Sequence, residues 1–179
     1  NRRLLTDRLQ QALVAAERRQ VFGGIALLDV DNFKAFNEAY GLEQGDRLLL
    51  ELSHRLAALL PAGATIARQG GDDFVVLLDD LGSDSVAAAT RLGQDALQWL
   101  ARLQEPVEVA GKKLQLTVSM GLSLFGGAPL THEEVLRRAE AAMYQAKAQG
   151  RNQICFYDPQ LQLALQERRA PEQDMRGGL

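Results

Sequence analysis

The sequence predicts an α+β fold, an α/β sandwich in which a mixed, mostly antiparallel sheet carries helices mainly on one side. Three observations lead there. Two runs of strand-forming residues, Thr65-Ile66-Ala67 and Phe74-Val75-Val76-Leu77-Leu78, flank Gly70-Gly71-Asp72-Asp73 in the pattern of a hairpin with a glycine tip. A second hairpin is predicted where Val107-Glu108-Val109 and Leu114 to Phe125 flank Ala110-Gly111-Lys112-Lys113. Helical periodicities alternate irregularly with these strands, which excludes a purely parallel doubly wound sheet.

The chain has 179 residues, 46% of them apolar, enough for one domain of ordinary size with a sizeable core. A net charge of -3 offers no broad basic face for a nucleic-acid backbone, so no nucleic-acid partner is expected. The single cysteine, Cys155, sits in the apolar run Ile154-Cys155-Phe156-Tyr157 and reads as a buried thiol. No apolar segment approaches a membrane span, so a reducing, cytoplasmic setting is expected. Asn1 rather than Met opens the chain and helical patterning begins at once, as in a piece of a longer protein.

In order, Leu4, Leu5, Leu9, Leu13 and Ala16 recur at helical spacing and predict an amphipathic helix ending near Gln20. Phe22 to Val30 is a continuous apolar run, expected as a strand buried on both faces. At its end stand Asp29 and Asp31, which an extended chain would point to one side as two carboxylates. Asp31 has a second reading, as the cap of a short helix whose free amides at Asn32, Phe33 and Lys34, with the lysine charge, suit phosphate. Gly41 ends that helix. Gln44 to Leu60 predicts a longer one with Leu48, Leu49, Leu52, Leu56 and Leu59 on its inner face, Asp46 in its first turn and His54 outside.

The hairpin tip then brings Asp72 and Asp73 together. Both glycines are expected to adopt positive φ angles there. A solvated turn and a metal-binding turn both suit these residues, since adjacent acids repel unless a cation compensates them. Val86 to Leu103 predicts a third long helix with Trp99 in the core, and the alternation from Leu114 to Met120 a strand with one wet face. Thr131-His132-Glu133-Glu134 is a capping box opening a fourth, closed by Gly150. Lys147 and Arg151, four apart at its end, could serve the helix dipole or a ligand. A strand from Gln153 to Tyr157 precedes an amphipathic tail, Leu161 to Arg169, and a disordered terminus.

Taken together, Asp29-Val30-Asp31-Asn32-Phe33-Lys34, Asn37, Gly45-Asp46, Arg68-Gln69-Gly70-Gly71-Asp72-Asp73-Phe74, Thr117-Val118-Ser119-Met120-Gly121 and Ala142-Met143-Tyr144-Gln145-Ala146-Lys147-Ala148-Gln149-Gly150-Arg151-Asn152 resemble the GGDEF family of diguanylate cyclases in order and spacing. The resemblance covers residues 1 to about 158 and implies one such domain there, with 159–179 a linker helix and tail. It implies a palm-like nucleotidyl-cyclase fold, with the sheet surrounded by helices. Asp29 and Asp72 would hold magnesium or manganese, assisted by the carbonyl of Val30. Asn37 and Asp46 would bind guanine, and Asn32, Phe33, Lys34, Lys147 and Arg151 the phosphates of GTP. Arg68 would steady the acidic loop. Asp73 would stand, beside Asp72, at the catalytic position, helping to deprotonate the ribose 3′-hydroxyl. Two domains would meet as a homodimer, converting two GTP to cyclic di-GMP and two pyrophosphates.

Asp73 stands where the family usually has Glu, a loss of one methylene and about 1.5 Å of reach. A misplacement of roughly 1 Å can cost on the order of a hundredfold in rate. Leu42 and Glu38 replace the usual His and Asp, and Pro61-Ala62-Gly63-Ala64 occupy the place of the family's product-inhibition motif. Two functions follow: a slow diguanylate cyclase, or a degenerate GTP-sensing module regulating a fused EAL phosphodiesterase domain. Asp158-Pro159 followed by Leu161-Gln162-Leu163 resembles the joint to such a domain, and an upstream sensory domain is expected as well.

Overall fold

The computed structural model describes residues 2–166. A five-stranded sheet forms its middle, in the order β2-β3-β1-β6-β7. The central strand β1 (Gly23–Val30) is buried along its whole length and pairs antiparallel with β3 (Asp73–Leu78) and with β6 (Val118–Phe125). An outer strand, β2 (Thr65–Gln69), completes the hairpin with β3, and β7 (Ile154–Phe156) adds to β6 in parallel, which makes the sheet mixed.

Helices cover both faces, not mainly one. Strand alternation sends Ile25 and Leu27 to the side of α1 (Arg2–Arg19) and α5 (His132–Ala148), where they pack with Leu5, Leu9, Val135 and Ala139. Ala26, Leu28 and Val30 go to the other side, against Phe33 and Phe36 of α2 (Phe33–Tyr40), the leucines of α3 (Leu42–Leu59), and Leu92 and Trp99 of α4 (Ser85–Leu103). A central strand sandwiched in this way has no wet face, hence the unbroken apolar run in the sequence.

Several local expectations are corrected by this packing. The inner stripe of α1 is Leu5, Leu9, Ala12 and Ala16, while Leu4 is 51% exposed. The third helix begins at Leu42, directly after Gly41, whose φ of 91° ends α2 and opens α3 at one residue. Asp46 therefore lies in the second turn, beyond reach of a dipole argument. The predicted strand from Leu114 to Phe125 is two: β4 (Val107–Val109) and β5 (Lys112–Leu114) form a small separate ribbon, and β6 starts afresh at Val118, buried almost throughout under α5. Only half of the capping box forms, because Glu134 donates its amide to Thr131 Oγ1 at 3.1 Å while its carboxylate turns to Arg137 and Arg138. Trp99 and Cys155 are buried and His54 is exposed, as expected.

A final helix, α6 (159–166), follows β7 and is fastened to the domain. Phe156 N donates to Gln162 Oε1 at 2.7 Å, and Leu165 lies 3.3 Å from the position a β-carbon on Gly93 of α4 would take. The remainder of the expected tail lies outside the described residues. No helix among the described residues is long and apolar enough to cross a membrane.

The seam between α5 and the sheet is set by Gly121 on β6. A β-carbon there would run into the carbonyl of Ala139 and the backbone of Met143. Rigid backbone cannot yield as a side chain can, so Gly121→Ala should destabilise the chain by about 2–3 kcal/mol, on the scale of overpacked cores. Urea unfolding followed by circular dichroism measures this; a variant as stable as the parent would show that α5 can slide.

Candidate functional site

The site lies where β1 ends. Register places Asp29, the penultimate residue of β1, directly opposite Asp73, the first of β3, and next to Ser119 of β6. Asp72 precedes Asp73 at the hairpin tip, and one carboxylate oxygen from each of Asp29, Asp72 and Asp73 comes within 4.8 Å of the others. The tip is a three-residue loop, 70–72, and only Gly70 uses a positive φ, of 70°. Gly71 is needed for another reason or none, since a β-carbon there meets nothing within 4 Å. Arg68 donates to the Gly71 carbonyl at 2.9 Å, stapling the tip from the neighbouring strand.

Three carboxylates this close are electrostatically costly. Two unit charges about 4 Å apart repel by about 4 kcal/mol at the effective dielectric of partly buried sites. The compensating cation among the described residues is Lys147 of α5, whose Nζ contacts Asp29 Oδ2. Burial pushes the Lys147 ammonium down, as does the nearby Arg151 guanidinium, while its Nζ lies against the Asp29 carboxylate. Three carboxylates against one ammonium leave a formal charge of -2, which one divalent cation would balance. Asp29 is 4% exposed, and its Oδ1 is buried with no hydrogen-bond partner. A hard cation with oxygen ligands is what this donor set fits. Asp73 titrates at about 6, raised first by burial, then by Asp72 through both charge and a shared hydrogen bond, then by Glu140.

The other expected residues fall around this centre. Asn32, with φ of 60°, turns the chain out of β1 into α2, whose first intrahelical bond runs from Phe36 N to Asn32 O. The amides of 32–34 precede that bond and are free of it, and Lys34 is exposed beside them. Asn37 stands on α2 and Asp46, exposed, follows Gly45 on α3. The Asn37 side chain lies in the space left by Gly45, whose added β-carbon would collide with Asn37 Oδ1, and that oxygen is buried without a partner. Arg151 follows α5 with φ of 62°. Val30 closes β1. Leu42 is 73% exposed.

Asp31 is neither of the two things its position suggests. The strand stops at Val30, so Asp31 escapes the alternation that would align it with Asp29, and it makes no side-chain cap for α2. Instead it is 3% exposed and accepts from Thr117 Oγ1 at 2.6 Å, Ser119 Oγ at 2.7 Å and Asn152 N at 3.1 Å. Thr117, Ser119, Asn152 and Gly45 stand in the motifs that carry the resemblance without a role read from the sequence, and Glu140 is a neighbour of the site that sequence reasoning misses. The pair of hydroxyls two apart, Thr117 and Ser119, was the signal available, since spacing two on one strand aims both at one neighbour.

A cleft of about 540 Å³ opens on the α5 side of this cluster, lined among others by Arg68, Gly70, Asp73, Tyr144 and Lys147. The acidic cluster at the ends of β1 and β3, with Lys147 against it, is a donor set that suits a divalent cation. Residues 1–153 match the family described as "Diguanylate cyclase, GGDEF domain", and the chain belongs to that family. It is 38% identical over its whole length to the bifunctional diguanylate cyclase/cyclic di-GMP phosphodiesterase MucR of Pseudomonas aeruginosa, matching 25% of that protein. It is 33% identical over 90% of its length to the cyclic di-GMP phosphodiesterase PdeR of Escherichia coli, matching 23% of it. The chain thus spans about a quarter of these curated relatives. Among solved structures, the active GGEEF domain of a diguanylate cyclase from Vibrio cholerae aligns with a TM-score of 0.80 at 25% identity, over 88% of this chain and 97% of that one.

The raised pKa of Asp73 sets a stability prediction. A carboxyl raised to about 6 in the folded chain favours folding while protonated, and that contribution is lost as pH rises from about 4 through about 6. Asp73→Asn, in metal-free buffer, should therefore raise Tm at pH 8 and leave it nearly unchanged at pH 3.5. The gain is about 1 kcal/mol after discounting for solvent exposure, or about 3 °C for a chain of this size. Magnesium should raise the parent's Tm at pH 8 and leave that of Asp29→Ala unmoved. Thermal scans at the two pH values, with chelator and then with magnesium, test both statements.

Proposed function

We propose that this chain is a GTP-binding diguanylate cyclase domain that condenses two GTP into cyclic di-GMP and two pyrophosphates, slowly, as a face-to-face homodimer in the cytoplasm. The observation that carries this reading is the Asp29, Asp72 and Asp73 cluster with Lys147, among the described residues, as the cation in contact with it. Magnesium, or manganese, held by Asp29, Asp72 and the Val30 carbonyl would supply charge compensation for the triphosphate. The amides of Asn32, Phe33 and Lys34, with the Lys34, Lys147 and Arg151 side chains, bind the β- and γ-phosphates. With phosphate present, Lys147 exchanges part of its contact with Asp29 for the new anion. Asn37 and Asp46 read the guanine edge, Asn37 with the oxygen that is otherwise unpartnered.

Asp73 accepts the proton of the ribose 3′-hydroxyl. That oxygen forms a bond to the α-phosphorus of the partner's GTP, and the bond from phosphorus to the β-bridging oxygen breaks as pyrophosphate leaves; the second half repeats this in reverse sense. In the metal-free domain burial and the Asp72 carboxylate raise Asp73, so its carboxylate there is a stronger proton acceptor than an ordinary one. Its reach is short by one methylene relative to Glu, which is the reason for slow turnover. The residues before β2, Pro61-Ala62-Gly63-Ala64, carry no charge, so tight feedback binding of the product is not expected there.

The short Asp73 and the likeness to PdeR favour a second reading, in which the domain senses GTP and regulates a fused EAL phosphodiesterase, with a sensory domain upstream. Two measurements separate them. Calorimetry with magnesium should give GTP binding at least tenfold tighter than ATP under either reading; equal or absent binding removes both. Chromatography of product at high protein concentration should give slow cyclic di-GMP formation, raised on the order of tenfold or more in Asp73→Glu and abolished in Asp72→Ala. A parent with no product at any concentration leaves the sensor reading, and a silent Asp73→Glu moves suspicion to Leu42 and Glu38.

A further inference from the structure

We propose that Asp31 is a positioning residue that holds the Gly150-Arg151-Asn152 turn against the end of β1 and so presents Arg151 to the phosphates. The inference rests on the GTP-binding reading given above. Its basis is an unusual run of backbone. Gly150, Arg151 and Asn152 have φ of 122°, 62° and 51°, three successive residues in the left-handed half of conformational space. Glycine takes this freely and asparagine tolerates it, but arginine at φ near 60° is disfavoured and such residues ordinarily occur singly. A run of this kind persists only where its surroundings fix it.

Two bonds do the fixing. Arg151 N donates to Ala146 O at 3.0 Å, which ties the turn to its own helix. Asn152 N donates to Asp31 Oδ2 at 3.1 Å, which ties it across 121 residues of sequence to the loop between β1 and α2. The Asp31 carboxylate is itself immobilised by Thr117 Oγ1 on the same oxygen and Ser119 Oγ on the other, and its amide donates to Thr117 O at 2.9 Å. A buried carboxylate with three donors and no cation is a fixed acceptor, and one that serves a backbone amide locates that amide closely. The side chain beside that amide is Arg151. No acidic side chain among the described residues pairs with it, and it stands near Lys147, whose ammonium contacts Asp29, so two cations are held close together. Such an arrangement is unfavourable without an anion and favourable with one.

Asp31 thus links the amides of 32–34, one residue ahead of it in the chain, to Arg151 on the opposite side of the same phosphate position. The test is the phosphate-dependent part of nucleotide affinity, measured by calorimetry with magnesium as the ratio of GTP to guanosine binding. Asp31→Ala should lower GTP affinity about tenfold, the scale of one charge-assisted contact, and leave guanosine affinity unchanged. Arg151→Ala should do the same, and the double variant should be no weaker than either alone. Asp31→Asn, which keeps an acceptor for Asn152 N, should recover most of the loss. If Asp31→Ala does not fold, Thr117→Val removes one of the three donors without opening a void and should give a smaller loss of the same selectivity. Equal losses for GTP and guanosine, or additive effects of Asp31→Ala and Arg151→Ala, would overturn the proposal while leaving the functional reading in place. A parent that binds GTP no better than guanosine removes both.

Discussion

Repulsion among the carboxylates of Asp29, Asp72 and Asp73 is the constraint around which the rest of this domain is arranged, because folding brings them together rather than letting water separate them. Antiparallel register between β1 and β3 fixes Asp29 opposite Asp73, and the hairpin adds Asp72 one residue away. Neither strand can slip to relieve the repulsion, since a shift of one residue would exchange the side chains packed on the two faces and send Leu28 and Phe74 into the cluster that Leu27 and Val75 fill. The burial of both sheet faces therefore holds a charged cluster in place that would not assemble by itself. A divalent cation seated among these oxygens would relieve that repulsion.

Lys147 shows how the fold manages that cluster without a ligand. It reaches Asp29 from α5, and α5 can lie close enough only because Gly121 lets its backbone settle directly on β6. The same close seating sets the helix end, and with it Arg151, above the loop where β1 gives way to α2. Asp31 completes the connection from below. Packing of an apolar helix against a glycine and the position of two cations at an acidic site are thus one structural fact.

The family relationship accounts for this geometry, and the departure at Asp73 is local to it. Shortening one side chain leaves the register, the staple from Arg68 and the contact from Lys147 in place.

The sequence by itself determined the α+β class, the hairpin over 65–78, the buried central strand, the helices after Gly41 and Thr131, and the identity of the acidic pair at the tip. These are readable because periodicity, glycine placement and capping act within a few residues. It also suggested the wrong partner for Asp31, since strand alternation was extended one residue past the point where Asn32 turns the chain. Only the tertiary structure decided that Asp31 faces Thr117, Ser119 and Asn152, that Lys147 serves Asp29 instead of its own helix end, and that the second hairpin is a detached ribbon. The first two depend on which elements meet across more than 80 residues of chain. Hydrogen-bond complementarity between distant segments leaves no periodic trace in either one, so it becomes visible only when packing has set them side by side.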